Sequence, residues 1–174
     1  MMQMPALLLL CMLPVGAANA SGWAVNESKD EMTGKVLSYR ASSDWVETNN
    51  PVFTRSNKQM YSWVNVSCNK SEQWAFIAFS QNPFMGSGDT IQREVVTRVK
   101  FDNHLSDVTI YKDDTHSQVV FVNNATSFIK MVRSSNTMKL EFPWYQHGNI
   151  YLDYDLSGSN SAIASALSKC KTLN

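Results

Sequence analysis

Hydrophobic and polar positions alternate with a period of two through most of the chain. Residues 35–41, 59–68, 73–79, 93–101, 106–111 and 118–122 carry this pattern between turn-forming residues and are predicted strands. In the second of these, Met60, Ser62, Val64, Val66 and Cys68 share one face, and Tyr61, Trp63, Asn65 and Ser67 share the other. The first face is the better candidate for the core. The connection Asn69-Lys70-Ser71-Glu72 is short and polar, as a hairpin between antiparallel strands requires, and residues 102–105 form a second hairpin signal.

The period changes at Asn124. Ala125, Phe128, Ile129, Met131 and Val132 fall on one side of a short helix, with Asn123 or Asn124 as its cap. Strand patterns return at residues 138–142 and 149–156, separated by Pro143-Trp144-Tyr145-Gln146-His147-Gly148, whose Pro and Gly ends favour a loop. In the last strand Ile150, Leu152, Tyr154 and Leu156 oppose Tyr151, Asp153 and Asp155. Ser157-Gly158-Ser159-Asn160 then ends the strand and caps a final helix carrying Ile163, Ala166, Leu167 and Cys170. Strands dominate and two short helices come late, so the fold class is α+β, mainly β. The expected architecture is an antiparallel sheet or partly closed β-sandwich with a C-terminal helix. The clearest long loop is residues 82–89, where Phe84 and Met85 are candidates for exposure.

Composition narrows the range of functions. The chain has 174 residues, 44% hydrophobic and 17% charged, which suits one ordinary globular domain with its own core. Fifteen basic residues balance fifteen acidic ones. A nucleic-acid-binding surface normally needs a cationic excess, so that class of partner is not expected. Residues 1–20 read as a secretory signal peptide. An apolar run of about 10 residues is too short to span a bilayer, and Ala18-Asn19-Ala20 supplies a small-x-small cleavage site. Residues 21–174 are then a single mature domain with no transmembrane segment, placed in a periplasm or secreted. Removing the signal takes Cys11 with it and leaves Cys68 and Cys170, and an even pair in an exported chain is expected to form a disulfide. Two buried thiols are the alternative.

Candidate chemistry is sparse. Asp113-Asp114-Thr115-His116 places metal-ligand types close together, but a polar turn produces the same run and no second cluster with zinc spacing accompanies it, so no metal or other cofactor is expected. His104 and His147 stand alone, no Gly-x-Ser-x-Gly elbow occurs, and Asp153 with Asp155 fits a solvated strand face as readily as a glycosidase pair. No catalytic residue is assigned. Arg98 lies opposite Val95, Thr97 and Val99 on its strand, where a guanidinium can hold a carboxylate from a ligand or from a neighbouring strand. Among five tryptophans, Trp144, with Tyr145 beside it in the expected loop, is a candidate partner contact, and Phe84 is a second. The N-x-S/T sequons at Asn26, Asn65, Asn69 and Asn124 are discounted, since Asn65 falls within a predicted strand.

Several features recur in one order: a Trp followed by Ser28-Lys29-Asp30-Glu31-Met32-Thr33, a Cys ending a mid-chain strand, then Thr97-Arg98-Val99-Lys100-Phe101-Asp102. Near the end come Tyr154-Asp155-Leu156-Ser157-Gly158-Ser159, a helix of small residues and Cys170. In this the mature chain resembles the type VI secretion associated TagO/VasI-like family of small exported proteins, which has relatives in phage and prophage genomes. The resemblance implies a periplasmic accessory or binding domain without an established catalytic apparatus, recognising an envelope or secretion-system protein through a sheet face or aromatic loops. Cell-wall sugar is another expected ligand. A small periplasmic cell-wall-active hydrolase and a phage-derived inhibitor or exclusion factor at the host envelope are the alternative functions.

Overall fold

A computed structural model of the chain describes residues 22–48, 59–87 and 90–173; the segment read as an export signal lies outside them. The strands are β1 (Trp23–Lys29), β2 (Val36–Ser43), β3 (Val46–Glu47), β4 (Tyr61–Cys68), β5 (Gln73–Phe79), β6 (Gly86–Ser87) and β7 (Thr90–Ile91). They continue with β8 (Glu94–Phe101), β9 (His104–Tyr111), β10 (Val119–Val122), β11 (Thr137–Trp144) and β12 (Gly148–Asp155); the helices are α1 (Ala125–Ser134) and α2 (Ser159–Cys170). Ten strands form one open antiparallel sheet in the order β1-β2-β4-β5-β10-β9-β8-β11-β12, with β3 pairing to β4 beside that path. β6 and β7 make a small separate ribbon. The class is α+β, and each strand and helix predicted from periodicity is present.

The sheet curls so that its inner face packs on itself. Val64, Val66, Ile77 and Phe79 of one half share a single buried cluster with Leu140, Phe142, Ile150, Leu152 and Tyr154 of the other. Phe79 on β5 lies 4.9 Å from Phe142 and 6.0 Å from Trp144 on β11, in tilted and edge-on arrangements favoured by aromatic quadrupoles. A side-chain hydrogen bond buried at both ends joins Ser62 Oγ on β4 and Tyr154 Oη on β12 at 2.6 Å. Near the sheet's ends, the Trp23 indole N–H on β1 donates to the Asp155 carbonyl on β12 at 3.4 Å. The ends therefore meet through side chains, without the backbone ladder that would close a barrel.

Both helices add apolar stripes to the same core. Phe128, Ile129 and Val132 of α1 are buried, with Phe128 edge-on to Phe101 at 5.7 Å. Ala162, Ile163, Ala166 and Cys170 of α2 face β1, β2 and β4, and small residues allow that close approach. Gly158 begins α2 at φ 85°, a left-handed conformation that glycine adopts without Cβ strain. Cys170 bonds to Cys68 with Cα atoms 6.0 Å apart, tying the last turn of α2 to the end of β4 across 102 residues.

Two expectations are corrected. The polar segment before β2, which sequence periodicity did not mark as a strand, is the edge strand β1; an edge strand has one partner and needs few apolar residues, here Trp23 and Val25. The expected loop over residues 143–148 is shorter, a turn over residues 145–147 between two strands. β11 runs through Trp144 and β12 starts at Gly148. β11 pairs with β8 only over Met138, Lys139 and Leu140, so Pro143 lies where one side of the strand has no ladder and its missing N–H is tolerated.

The disulfide closes a long loop, and the chain-entropy account of such a cross-link gives about 4–5 kcal/mol for roughly 100 residues. Replacing both cysteines by serine is expected to lower unfolding free energy by about 2–5 kcal/mol in denaturant titrations. A peptide joining Cys68 to Cys170 in a nonreduced digest checks the bond itself.

Candidate functional site

The outer face of the curled sheet has two chemically unlike halves. Over β9, β8, β11 and β12 it is a solvated surface on which paired charges surround the exposed side chains of Val96, Leu105 and Tyr151. Arg98 grips Glu141 on the neighbouring strand with two bonds, Nε to Oε1 at 3.2 Å and Nη2 to Oε2 at 2.5 Å. The Arg98 hydrogen bonds hold the Glu141 carboxyl below its ordinary range against the opposing effect of burial. Lys139 pairs with Asp153 at 3.1 Å one row away.

Over β2, β4, β5 and β10 the same face is aromatic. Strand registers align Ser42, Asn65, Phe76, Phe121 and Tyr111 in one cross-strand row; Asn26, Arg40, Ser67 and Trp74 form the next. Phe121 lies 5.8 Å from Phe76, stacks on Tyr111 at 5.6 Å and meets His116 edge-on at 5.5 Å. Trp63 continues the surface on β4, and Trp45, 63% exposed, stands edge-on to Tyr61 at 4.7 Å. Both helices lie on the opposite side of the sheet, so among the described residues no layer covers this face.

A polar layer beneath the rings fixes their positions. Asn65 is fully buried, accepts the Ser42 hydroxyl at 2.8 Å and donates to the Trp63 carbonyl at 3.3 Å. Arg40 lies over this layer. Its Nε donates to Ser67 Oγ at 3.3 Å, and its guanidinium sits 5.2 Å from the Phe76 ring centroid, within cation–π range. Partial burial lowers the Arg40 pKa, and among the described residues no carboxylate pairs with it. Two open clefts meet here. One, of about 650 Å³, is bordered by Trp45, Tyr61 and Trp63; the other, of about 630 Å³, by Trp63, Trp74, Tyr111 and Phe121. Arg40 and Trp63 border both.

The residues singled out from sequence fall elsewhere. Trp144, expected on a loop, is 5% exposed and packs against Phe79 and Phe142, so it is a core residue. Tyr145 is half-buried in the turn after it and donates its backbone N–H to the Phe84 carbonyl at 2.8 Å. Phe84 is 44% exposed, with Lys112 Nζ 5.8 Å from its ring centroid, while Met85 is buried and bridges to Trp144. The structure thus gathers Phe84, Trp144 and Tyr145 at one end of the core and sets Arg98 on the outer face with a protein carboxylate already in its fork.

The acidic candidates are likewise engaged. Burial pushes the Asp113 carboxyl up, but the bonds from His116 and Thr115 outweigh it and hold the group low, with His116 Nδ1 at 2.7 Å; Asp114 pairs with Arg93 at 2.7 Å. Asp155 accepts the Ser157 backbone N–H at 2.8 Å, which fixes the turn into α2. Among the described residues no three His, Cys, Asp or Glu side chains converge to hold a metal, and no helix is long and apolar enough to cross a membrane.

Sequence reading missed Arg40, Trp74, Phe76 and Phe121. The signal was present on β4, where Tyr61 and Trp63 occupy the face opposite the aliphatic core face, two large rings where solvated residues are usual. No family model, curated protein or solved structure matches the chain.

Trp144→Ala is expected to cost about 3–5 kcal/mol of stability as a core truncation, read by denaturant unfolding. Acid should act through the lowered carboxyls. Their contribution is complete above the unfolded carboxyl pKa of about 4 and is lost as pH falls through the lower folded value. Melting temperature is therefore expected to hold between neutrality and about pH 5 and to decline below about pH 4, and Glu141→Gln should make that decline shallower.

Proposed function

We propose that this chain is an exported, non-catalytic binding protein that recognises an envelope component through the aromatic outer face of β2, β4, β5 and β10. One observation carries the reading. Among the described residues nothing packs on the outer face, and on the β9–β8–β11–β12 half its exposed hydrophobics, Val96, Leu105 and Tyr151, are scattered among charges, whereas over β2, β4, β5 and β10 the edges of Trp45, Tyr61, Trp63 and Trp74, with Tyr111 at the end of β9, border two adjoining clefts. Aromatic residues and arginine are the side chains enriched at recognition surfaces, because they bring large contact area with few rotatable bonds. The face rests on central strands paired on both sides, so its geometry is set before any partner arrives.

Export, the periplasm and the resemblance to secretion-associated accessory proteins fit this reading and supply the class of partner, an envelope or secretion-system component. The carboxylates weighed as catalytic candidates and the His116 imidazole are bound to local partners, which favours recognition over hydrolysis.

Site-specific photocrosslinking in the native envelope tests it. A crosslinking residue at Trp45 or Trp63 is expected to give discrete adducts, identified by mass spectrometry, and the same residue at Val96 or Lys100 on the charged half is expected to give none. Equal labelling from both halves, or none from either, would refute the assignment.

A further inference from the structure

We propose that the aromatic face takes a glycan bearing carboxylates, with Arg40 binding the acid group at the junction of the two clefts. This rests on the reading of that face as the binding surface and names its ligand class.

Arg40 is the starting point. A guanidinium has five N–H donors in a planar fork, and this one uses a single donor, Nε, on Ser67. Among the described residues neither terminal nitrogen has a protein acceptor, although Arg98, Arg93 and Arg133 on other surfaces each hold a carboxylate or amide oxygen. A cation seated on the Phe76 ring with its outer donors unoccupied is arranged for a bidentate oxygen anion.

Its surroundings select the kind of molecule that carries the anion. Trp63 borders both clefts, with Trp45 and Tyr61 on one side and Trp74 on the other, so aromatic surfaces continue in both directions from the cation. A pyranose ring presents apolar C–H faces that pack on such surfaces and a hydroxyl rim that needs neutral donors and acceptors. Asn26, Ser42 and Ser43 supply these on one side and Gln118 on the other. The remaining charges set the density of acid groups. Asp44 borders one cleft and Glu72 the other, so each arm opposes a phosphate at every residue and accepts a chain with separated carboxylates. An extended peptide adding as a strand is disfavoured, because β4 and β5 already have neighbours on both edges.

The test uses defined probes with the full mature chain. Oligomers of alternating glucuronate and N-acetylglucosamine and glycan strands of alternating N-acetylglucosamine and N-acetylmuramic acid are titrated while tryptophan emission and heat are measured, each beside its carboxyl-amidated form. At least one acidic probe is expected to bind saturably, and its amidated form to bind at least tenfold more weakly. Arg40→Gln is expected to abolish that difference with an unchanged melting temperature. Trp45→Ala, an exposed substitution, should weaken acidic and amidated forms alike, and Arg98→Gln should change neither. Failure of every acidic probe, or equal binding of acidic and amidated forms, overturns the proposal. If the probes fail while Trp45 and Trp63 still crosslink to an envelope protein, the glycan assignment falls and the binding face stands; if the crosslinks fail too, both fall.

Discussion

The packing of the sheet's inner face on itself governs the rest of the molecule. The described residues supply ten strands in the main sheet and two short helices, too few to cover both faces of so broad a sheet. Curling solves one face. Phe79, Phe142 and Trp144 interlock across the interior, Ser62 and Tyr154 satisfy each other within it, and α1 and α2 seal it with small and aromatic residues. Among the described residues no further layer packs over the outer face. Its composition is free of core requirements, so chemistry found there that water does not favour calls for another cause.

The buried polar groups show how tightly this arrangement is specified. Among the described residues every buried side-chain nitrogen or oxygen has a partner. Burial raises the Tyr154 pKa well above the ordinary phenol value, so its hydroxyl keeps its proton throughout the physiological range, and Ser62 gives it a partner inside the core. Asp102 does similar work at the surface. It turns the chain between β8 and β9 at φ 49°, and its carboxylate accepts the backbone N–H groups of Thr137 and Asn136, which aligns the start of β11 beside β8. A turn residue that also sets the register of a strand distant in sequence helps fix which residues face inward on that half.

Much of this was legible in sequence because alternation is a local signal. Strands β2, β4, β5, β8, β9, β10, β11 and β12 and both helices each carry their own periodicity, and the expectation that Cys11 leaves with a signal segment left Cys68 and Cys170 as the one pairing. The failures share a cause. β1 is an edge strand whose pattern is weak because one side faces no partner, and Trp144 sits after a proline that reads as a loop unless the register of β8 against β11 is known. The aromatic face was invisible for a related reason. Arg40, Trp63, Phe76 and Phe121 lie on four strands, and only the order β2-β4-β5-β10 makes them neighbours.

Arg98 and Arg40 separate the two uses an arginine finds on a sheet. Each stands on an outer face of a well-paired strand, and in sequence Arg98 is the more conspicuous, set in a clean alternation of Val, Thr and Val. The Nε–Nη2 edge of its fork is filled by Glu141, and a surface ion pair of that kind contributes modestly to stability and neutralises the charge a ligand would seek. Arg40 has no such partner among the described residues and lies at an exposed position against the Phe76 ring. An acidic neighbour on β1 or β4 would fill its fork, but Asn26 and Ser67 stand there instead. On the reading proposed here, the carboxylate that fills it belongs to the molecule that the face binds.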